Sequence, residues 1–145
     1  MKNRAIRFLA IILILATFLS FGAIAAYVPP ESPDSSSYIS SYLVRILNGG
    51  NGELKVDFNV TGTGTMTKIG ATCIRIYKSN GTYVATIWNT DSGRSGMLGS
   101  NTSYHSDVES YTVTPGSYYA KVSIFARNSS GSDEIVVTTS NKTIT

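Results

Sequence analysis

Leu54-Lys55-Val56-Asp57-Phe58-Asn59-Val60 decides the fold class. Four large apolar side chains alternate with Lys55, Asp57 and Asn59, the period of two that sends successive side chains to opposite faces of a strand. A helix would scatter the same four residues around its circumference. On both sides the chain repeats the theme in short runs broken by Gly, Asn and Ser. Tyr38 to Leu47 precedes it across Asn48-Gly49-Gly50-Asn51-Gly52, a cluster of residues that tolerate positive φ. Thr67 to Lys78 follows, with Ile69 on one parity and Ile74 and Ile76 on the other, which requires a bulge near Gly70. Ser79-Asn80-Gly81-Thr82 reads as a hairpin turn of the Asn-Gly type leading into Tyr83 to Trp88.

After a polar, Gly-rich passage from Asn89 to Ser103, the longest loop, come Tyr104 to Val113 and the turn Thr114-Pro115-Gly116. Ser117 to Asn128 then carries Tyr118, Ala120, Val122, Ile124 and Ala126 on one face, and Glu134 to Thr143 is the last strand. Seven strands with regular turn signals and no helical period predict an all-β, antiparallel, immunoglobulin-like sandwich over residues 38–145. Its expected interior is Leu54, Val56, Phe58, Val60, Ile74, Ile76, Val122 and Ile124. Full burial of such side chains is worth roughly 1.5 to 3 kcal/mol each before entropy is subtracted.

The N-terminal residues have a different character. Lys2, Arg4 and Arg7 precede a run from Phe8 to Phe21 in which only Thr17 and Ser20 are polar, and Ala23-Ile24-Ala25 follows with small residues two apart. That order is a secretory signal peptide over residues 1–25, cleaved after Ala25 or Ala26, and it predicts a secreted, extracellular protein with no membrane attachment after cleavage. The alternative is an uncleaved anchor, because the apolar stretch continues through Ala26 and is nearly long enough to span a bilayer. Residues 26–37, with Pro29, Pro30, Pro33 and Ser35 to Ser37, read as an extended linker. Removing the three leading cations leaves nine Lys and Arg against nine Asp and Glu, so the formal charge of +3 gives no reason to expect nucleic acid as a partner.

Chemistry is sparse in the rest of the 145 residues. One Cys excludes an internal disulfide, and one His excludes any mechanism that needs a His pair. His105, with Asp107 and Glu109 two and four residues on, lacks a nucleophile of obvious geometry and reads as a histidine at a loop-to-strand junction bonded to backbone. Asp91-Ser92-Gly93 offers one carboxylate where a calcium ion needs several oxygens, and reads as a solvated turn. Cys73, among Ala71, Thr72 and Ile74, reads as a small buried hydrophobe. No catalytic residue, cofactor or metal is expected.

Tyr118, Val122, Ile124 and then Ala126-Arg127-Asn128-Ser129-Ser130-Gly131 resemble the sixth strand and following turn of fibronectin type III domains. Those domains usually place a Trp on the second strand, where this chain has Phe58. Val56-Asp57-Phe58-Asn59-Val60, Gly62, Met66, Ile69-Gly70-Ala71, Ile74-Arg75-Ile76-Tyr77, Asn101-Thr102-Ser103-Tyr104-His105 and Tyr118-Tyr119-Ala120-Lys121-Val122 together resemble a family of small secreted proteins of clostridial, Gram-positive bacteria. The resemblance implies a cell-envelope or extracellular location. It brings no site residues, the family being of unknown function.

One constellation remains. If Tyr118, Val122, Ile74 and Ile76 point inward, then Arg75, Tyr77, Tyr119, Lys121, Phe125 and Arg127 share an outer face, provided their two strands are neighbours. Three aromatic and three basic side chains on one face suit either of two noncatalytic roles. One is contact with a protein, or with another copy of the same chain, at the cell surface, and the other is binding of a glycan by a carbohydrate-binding module. The same aromatics also stabilise a sheet face as cross-strand pairs while binding nothing.

Overall fold

Period-two alternation becomes strand throughout the computed structural model, which describes residues 36–145. The expected signal peptide at 1–25 and nearly all of the expected linker at 26–37 lie outside the described residues. Nine strands form within them: β1 (Ile39–Gly50), β2 (Glu53–Met66), β3 (Lys68–Lys78), β4 (Tyr83–Trp88), β5 (Leu98–Gly99), β6 (Thr102–Thr112), β7 (Gly116–Asn128), β8 (Gly131–Thr138) and β9 (Lys142–Ile144). Every pairing is antiparallel. The first sheet has the order β1-β2-β6; the second has the order β4-β3-β7-β8, with β5 added to β3 and β9 to β7. The fold is an antiparallel β-sandwich. Among the described residues no helix is long and apolar enough to cross a membrane.

The interior is where the alternation puts it. Leu54, Val56, Phe58 and Val60 from β2, Ile74 and Ile76 from β3, and Val122 and Ile124 from β7 are all fully buried. Met66, Ile69, Met97, Tyr118 and Ile144 complete the packing between the sheets. The parity change in β3 comes from an extra residue at Thr72: Ala71 pairs with Ile124 and Cys73 with Ser123, so Thr72 has no partner on β7. Gly70 lies two residues earlier at φ +144°, where a Cβ would collide with the Met97 carbonyl oxygen.

Three readings are corrected. The last strand is not continuous from Glu134 to Thr143: β8 pairs with β7 as far as Lys121↔Thr138, and β9 resumes at Tyr118↔Lys142. Between them Thr139 is buried, its hydroxyl accepting from the Ala120 N–H at 2.9 Å while its own N–H donates to the Ala120 carbonyl at 2.9 Å. A side chain thus takes over a ladder position that sequence alternation cannot reveal. The 79–82 turn closes through Gly81 N–H to the Lys78 carbonyl, with Gly81 alone at positive φ, whereas the simplest Asn-Gly hairpin turn places both residues there.

The third correction concerns the passage 89–103, which is partly structured. It holds a short 3-10 turn, Ser95–Met97, and then β5, and it closes over the inward side of the edge strand β6. His105, Asp107 and Glu109 pair with Val60, Phe58 and Val56, so they point inward at the rim of the sandwich. Arg94 forms an ion pair with the buried Glu109 carboxylate, and His105 Nε2 lies 2.7 Å from the Gly96 carbonyl oxygen. Gly96 lies so close to Asp107 that a Cβ would stand 3.1 Å from its carboxylate. Inward polar groups on an edge strand discourage pairing with another chain's edge, and here the loop engages His105 and Glu109 while Asp107 accepts from the Val108 N–H of its own strand.

Candidate functional site

The outer face of the second sheet is assembled by register. Tyr77 pairs with Tyr119 and Arg75 with Lys121 across β3 and β7, so the two strands are neighbours and the four side chains share a face. Phe125 stands opposite Gly70 on one side and Glu134 on the other, and Arg127 opposite Lys68 and Ser132. All six expected residues therefore lie on one surface. They span it from end to end, with Arg127 exposed and the other five half-buried.

Strand β4 extends this surface in a way the sequence reading missed. Tyr83 pairs with Tyr77, Thr86 with Arg75 and Trp88 with Cys73. The result is ordered rows across the sheet: Tyr83, Tyr77 and Tyr119; then Thr86, Arg75, Lys121 and Thr138; then Trp88, Cys73, Ser123 and Val136. Tyr83, Trp88 and Val136 are 57%, 46% and 56% exposed, which makes these flanking residues the most exposed large apolar side chains of the face. A signal for β4 was present in the Ser79–Thr82 turn, since a hairpin fixes its strands opposite one another. The unpaired residue Val84, between the pairs Ile76↔Ala85 and Tyr77↔Tyr83, defeats simple counting from the turn.

The rings are engaged with each other. Tyr77 and Tyr119 stack at 5.2 Å between centroids with planes 12° apart, and Tyr83 meets Tyr77 edge-on at 5.9 Å. The Arg75 guanidinium lies 5.8 Å from the Trp88 ring centroid, and Lys121 Nζ 5.8 Å from that of Tyr77. Such contacts hold flat side chains in fixed orientations and keep the cations at the surface.

Cys73 belongs to this layer too. It is buried, as expected, but its partners Trp88 and Ser123 place it on the outward side of β3 and not between the sheets. Burial pushes its thiol up, with Arg75 pulling the other way.

Other sequence candidates are committed to structure. The Asp91 carboxylate accepts from the Trp88 N–H at 2.8 Å and closes the turn after β4. Burial raises the Glu109 carboxyl, and the facing Arg94 counters this. Among the described residues no group of three or more His, Cys, Asp or Glu is placed to hold a metal ion.

No protein-family profile matches this chain, and no curated protein matches it. Among solved structures, a crystal structure described as the ApaA protein from Bordetella pertussis is similar over 74% of this chain and 94% of that one, at 10% identity and a TM-score of 0.47. At that level the likeness transfers neither residues nor activity.

Proposed function

We propose that this chain is an exported, noncatalytic β-sandwich module that contacts a protein partner through the outer face of its second sheet. The observation that carries the reading is the ordered aromatic and basic layer across β4, β3 and β7, with Tyr83 and Trp88 roughly half exposed at its edge. Tyr, Trp and Arg are the residues that concentrate binding energy at protein interfaces. Export rests on the signal-like residues 1–25, and the resemblance to small secreted Gram-positive proteins supports a place at the cell envelope.

A fibronectin type III-like topology is the finer reading of the fold. Its support is the pairing of a β1-β2-β6 sheet with a β4-β3-β7-β8 sheet, and the buried Tyr118 at the start of β7 whose hydroxyl reaches back to the Thr114 carbonyl. A noncatalytic role is supported by His105 and Glu109, whose polar atoms are engaged by the 89–99 segment. The glycan alternative is weaker because sugar rings need open aromatic faces. Tyr77 already has Tyr119 stacked on it, Tyr83 at its edge and Lys121 nearby.

The test is the double substitution Tyr77→Ser with Phe125→Ser. Affinity for a partner captured by the wild-type chain should fall by at least about 2 kcal/mol. Stability should fall by less, since cross-strand pairs are worth about 0.2 to 1 kcal/mol each. Normal binding with a large drop in melting temperature would overturn the proposal, and selective retention on a glycan array would replace it with the alternative.

A further inference from the structure

We infer that the partner segment that docks on this face is acidic at its two ends and apolar in its middle. The inference rests on the protein-contact reading above and names the partner's chemistry. Its basis is a contrast between the two sheets. On the outer face of the first, charges are matched: Arg45 pairs in register with Asp57 and its Nη2 lies 2.6 Å from the Asp57 carboxylate, while Lys55 lies 3.2 Å from that of Glu53. On the second sheet, the register sets Arg75 opposite Lys121 and Lys68 opposite Arg127. Like charges directly opposite one another destabilise a sheet.

Among the described residues, none of these four cations forms an ion pair. Glu134, the acid on the same face, instead accepts from the Thr72 hydroxyl at 3.0 Å. Arg75 and Lys121 turn to the Trp88 and Tyr77 rings, and Lys68 Nζ reaches the Ser100 hydroxyl at 2.8 Å. The face therefore carries two like-charged pairs whose four cations are unpaired, against the single strand acid Glu134, in a protein whose predicted mature form has equal numbers of acids and bases. A complementary partner supplies the missing carboxylates.

The spacing defines that partner further. Lys121 and Arg127 are six residues apart on β7, roughly 20 Å along an extended strand. Between the two cation pairs the accessible side chains are the half-buried Phe125, the exposed Val136 and Glu134 beside Phe125, with Cys73 and Ser123 buried beneath them. A uniform polyanion would lay charge over this apolar centre and against Glu134. An extended protein segment with carboxylates at both ends and apolar side chains between meets both cation pairs and the Phe125 and Val136 between them, while Glu134 keeps the Thr72 hydroxyl.

The experiment uses the full chain and three probes: a heptapeptide with glutamates at both ends and valines between, the same peptide with lysines for glutamates, and inorganic polyphosphate. The acidic peptide should bind with an affinity that falls as salt rises, and the variant R75E/K121E should bind it at least about tenfold more weakly while gaining affinity for the lysine peptide. The neutral variant R75Q/K121Q, which removes a like-charge pair, should match or exceed the wild-type melting temperature and still lose affinity, which separates binding from folding. Equal binding of the two peptides, or binding of polyphosphate alone, overturns the inference. If Tyr77→Ser with Phe125→Ser abolishes partner capture while R75E/K121E leaves it intact, the face is an interface but its partner is not acidic, and this inference alone falls. If neither pair of substitutions weakens capture, the proposed function falls with it.

Discussion

The Tyr118 hydroxyl donates to the carbonyl oxygen of Thr114 at 2.6 Å, four residues back along the chain, with the Tyr118 ring 1% exposed beneath the corner between β6 and β7. One side chain thus fills the core and ties down the turn that carries the chain from one sheet to the other. Tyr118→Phe keeps the packing and removes the bond. It should cost about 1 to 2 kcal/mol in chemical denaturation, because the Thr114 carbonyl loses its donor in a partly buried site. An unchanged denaturation midpoint would show that water replaces the phenol without loss.

Arg94→Ala should be among the most damaging single substitutions in the 89–99 segment. It strands the Glu109 carboxylate, whose side chain is 6% exposed, without its cation. Removing one member of a fully buried pair costs about 3 to 5 kcal/mol, and this part-buried pair, with the Arg94 side chain 32% exposed, should lose less, whereas replacing both by apolar residues is often close to neutral. The double variant Arg94→Leu with Glu109→Leu should therefore be more stable than Arg94→Ala alone, as a thermal melt of each would reveal.

Asp133 links pH to the segment that leads into β1. Its carboxylate accepts from the Ser36 hydroxyl at 2.6 Å and from the Tyr38 N–H at 2.9 Å, and these bonds hold its carboxyl below the ordinary aspartate range. A folded-state value below the unfolded one means the stabilisation is complete above the unfolded value and is lost as pH falls through the folded one. Melting temperature should accordingly drop on acidification below the normal aspartate range, and Asp133→Ala should lose less over the same interval. Parallel curves for the two proteins would remove Asp133 from the acid response.

Cys73 should resist thiol reagents in the native protein and react fully on denaturation. Because it lies on the outer layer opposite Trp88, truncating that one ring should uncover it without disturbing the interior. If Trp88→Ala lowers the local opening cost by roughly 1.4 kcal/mol, native labelling accelerates about tenfold. Labelling that tracks global unfolding in both proteins would place the thiol beyond the reach of surface changes.

Gly70→Ala should destabilise the fold by at least about 2 kcal/mol. The residue combines φ +144° with a Cβ direction blocked by the Met97 backbone, and strain at a special backbone conformation is one of the few routes to a large single-site effect. Since β5 pairs with β3 at Gly70, hydrogen exchange of Leu98 and Gly99 should rise together with the stability loss.

Alternation along single strands was enough to place Leu54, Val56, Phe58, Val60, Ile74, Ile76, Val122 and Ile124 inside the sandwich, and Arg75, Tyr77, Tyr119, Lys121, Phe125 and Arg127 outside it. Parity is a local property, and each of these runs keeps its parity without interruption. Tertiary structure decided what happens where the count breaks. The extra residue Thr72 lets Lys68 and Gly70 share the outer layer with Cys73 and Arg75, Val84 brings Tyr83 onto it beside Thr86 and Trp88, the Thr139 hydroxyl divides the last strand in two, and Arg94 and Gly96 meet Glu109 and His105 across the rim. A bulge shifts a strand by one residue and so exchanges its faces, and whether one forms depends on how distant strands pair. The sequence writes the faces of each strand, and long-range pairing chooses which faces meet.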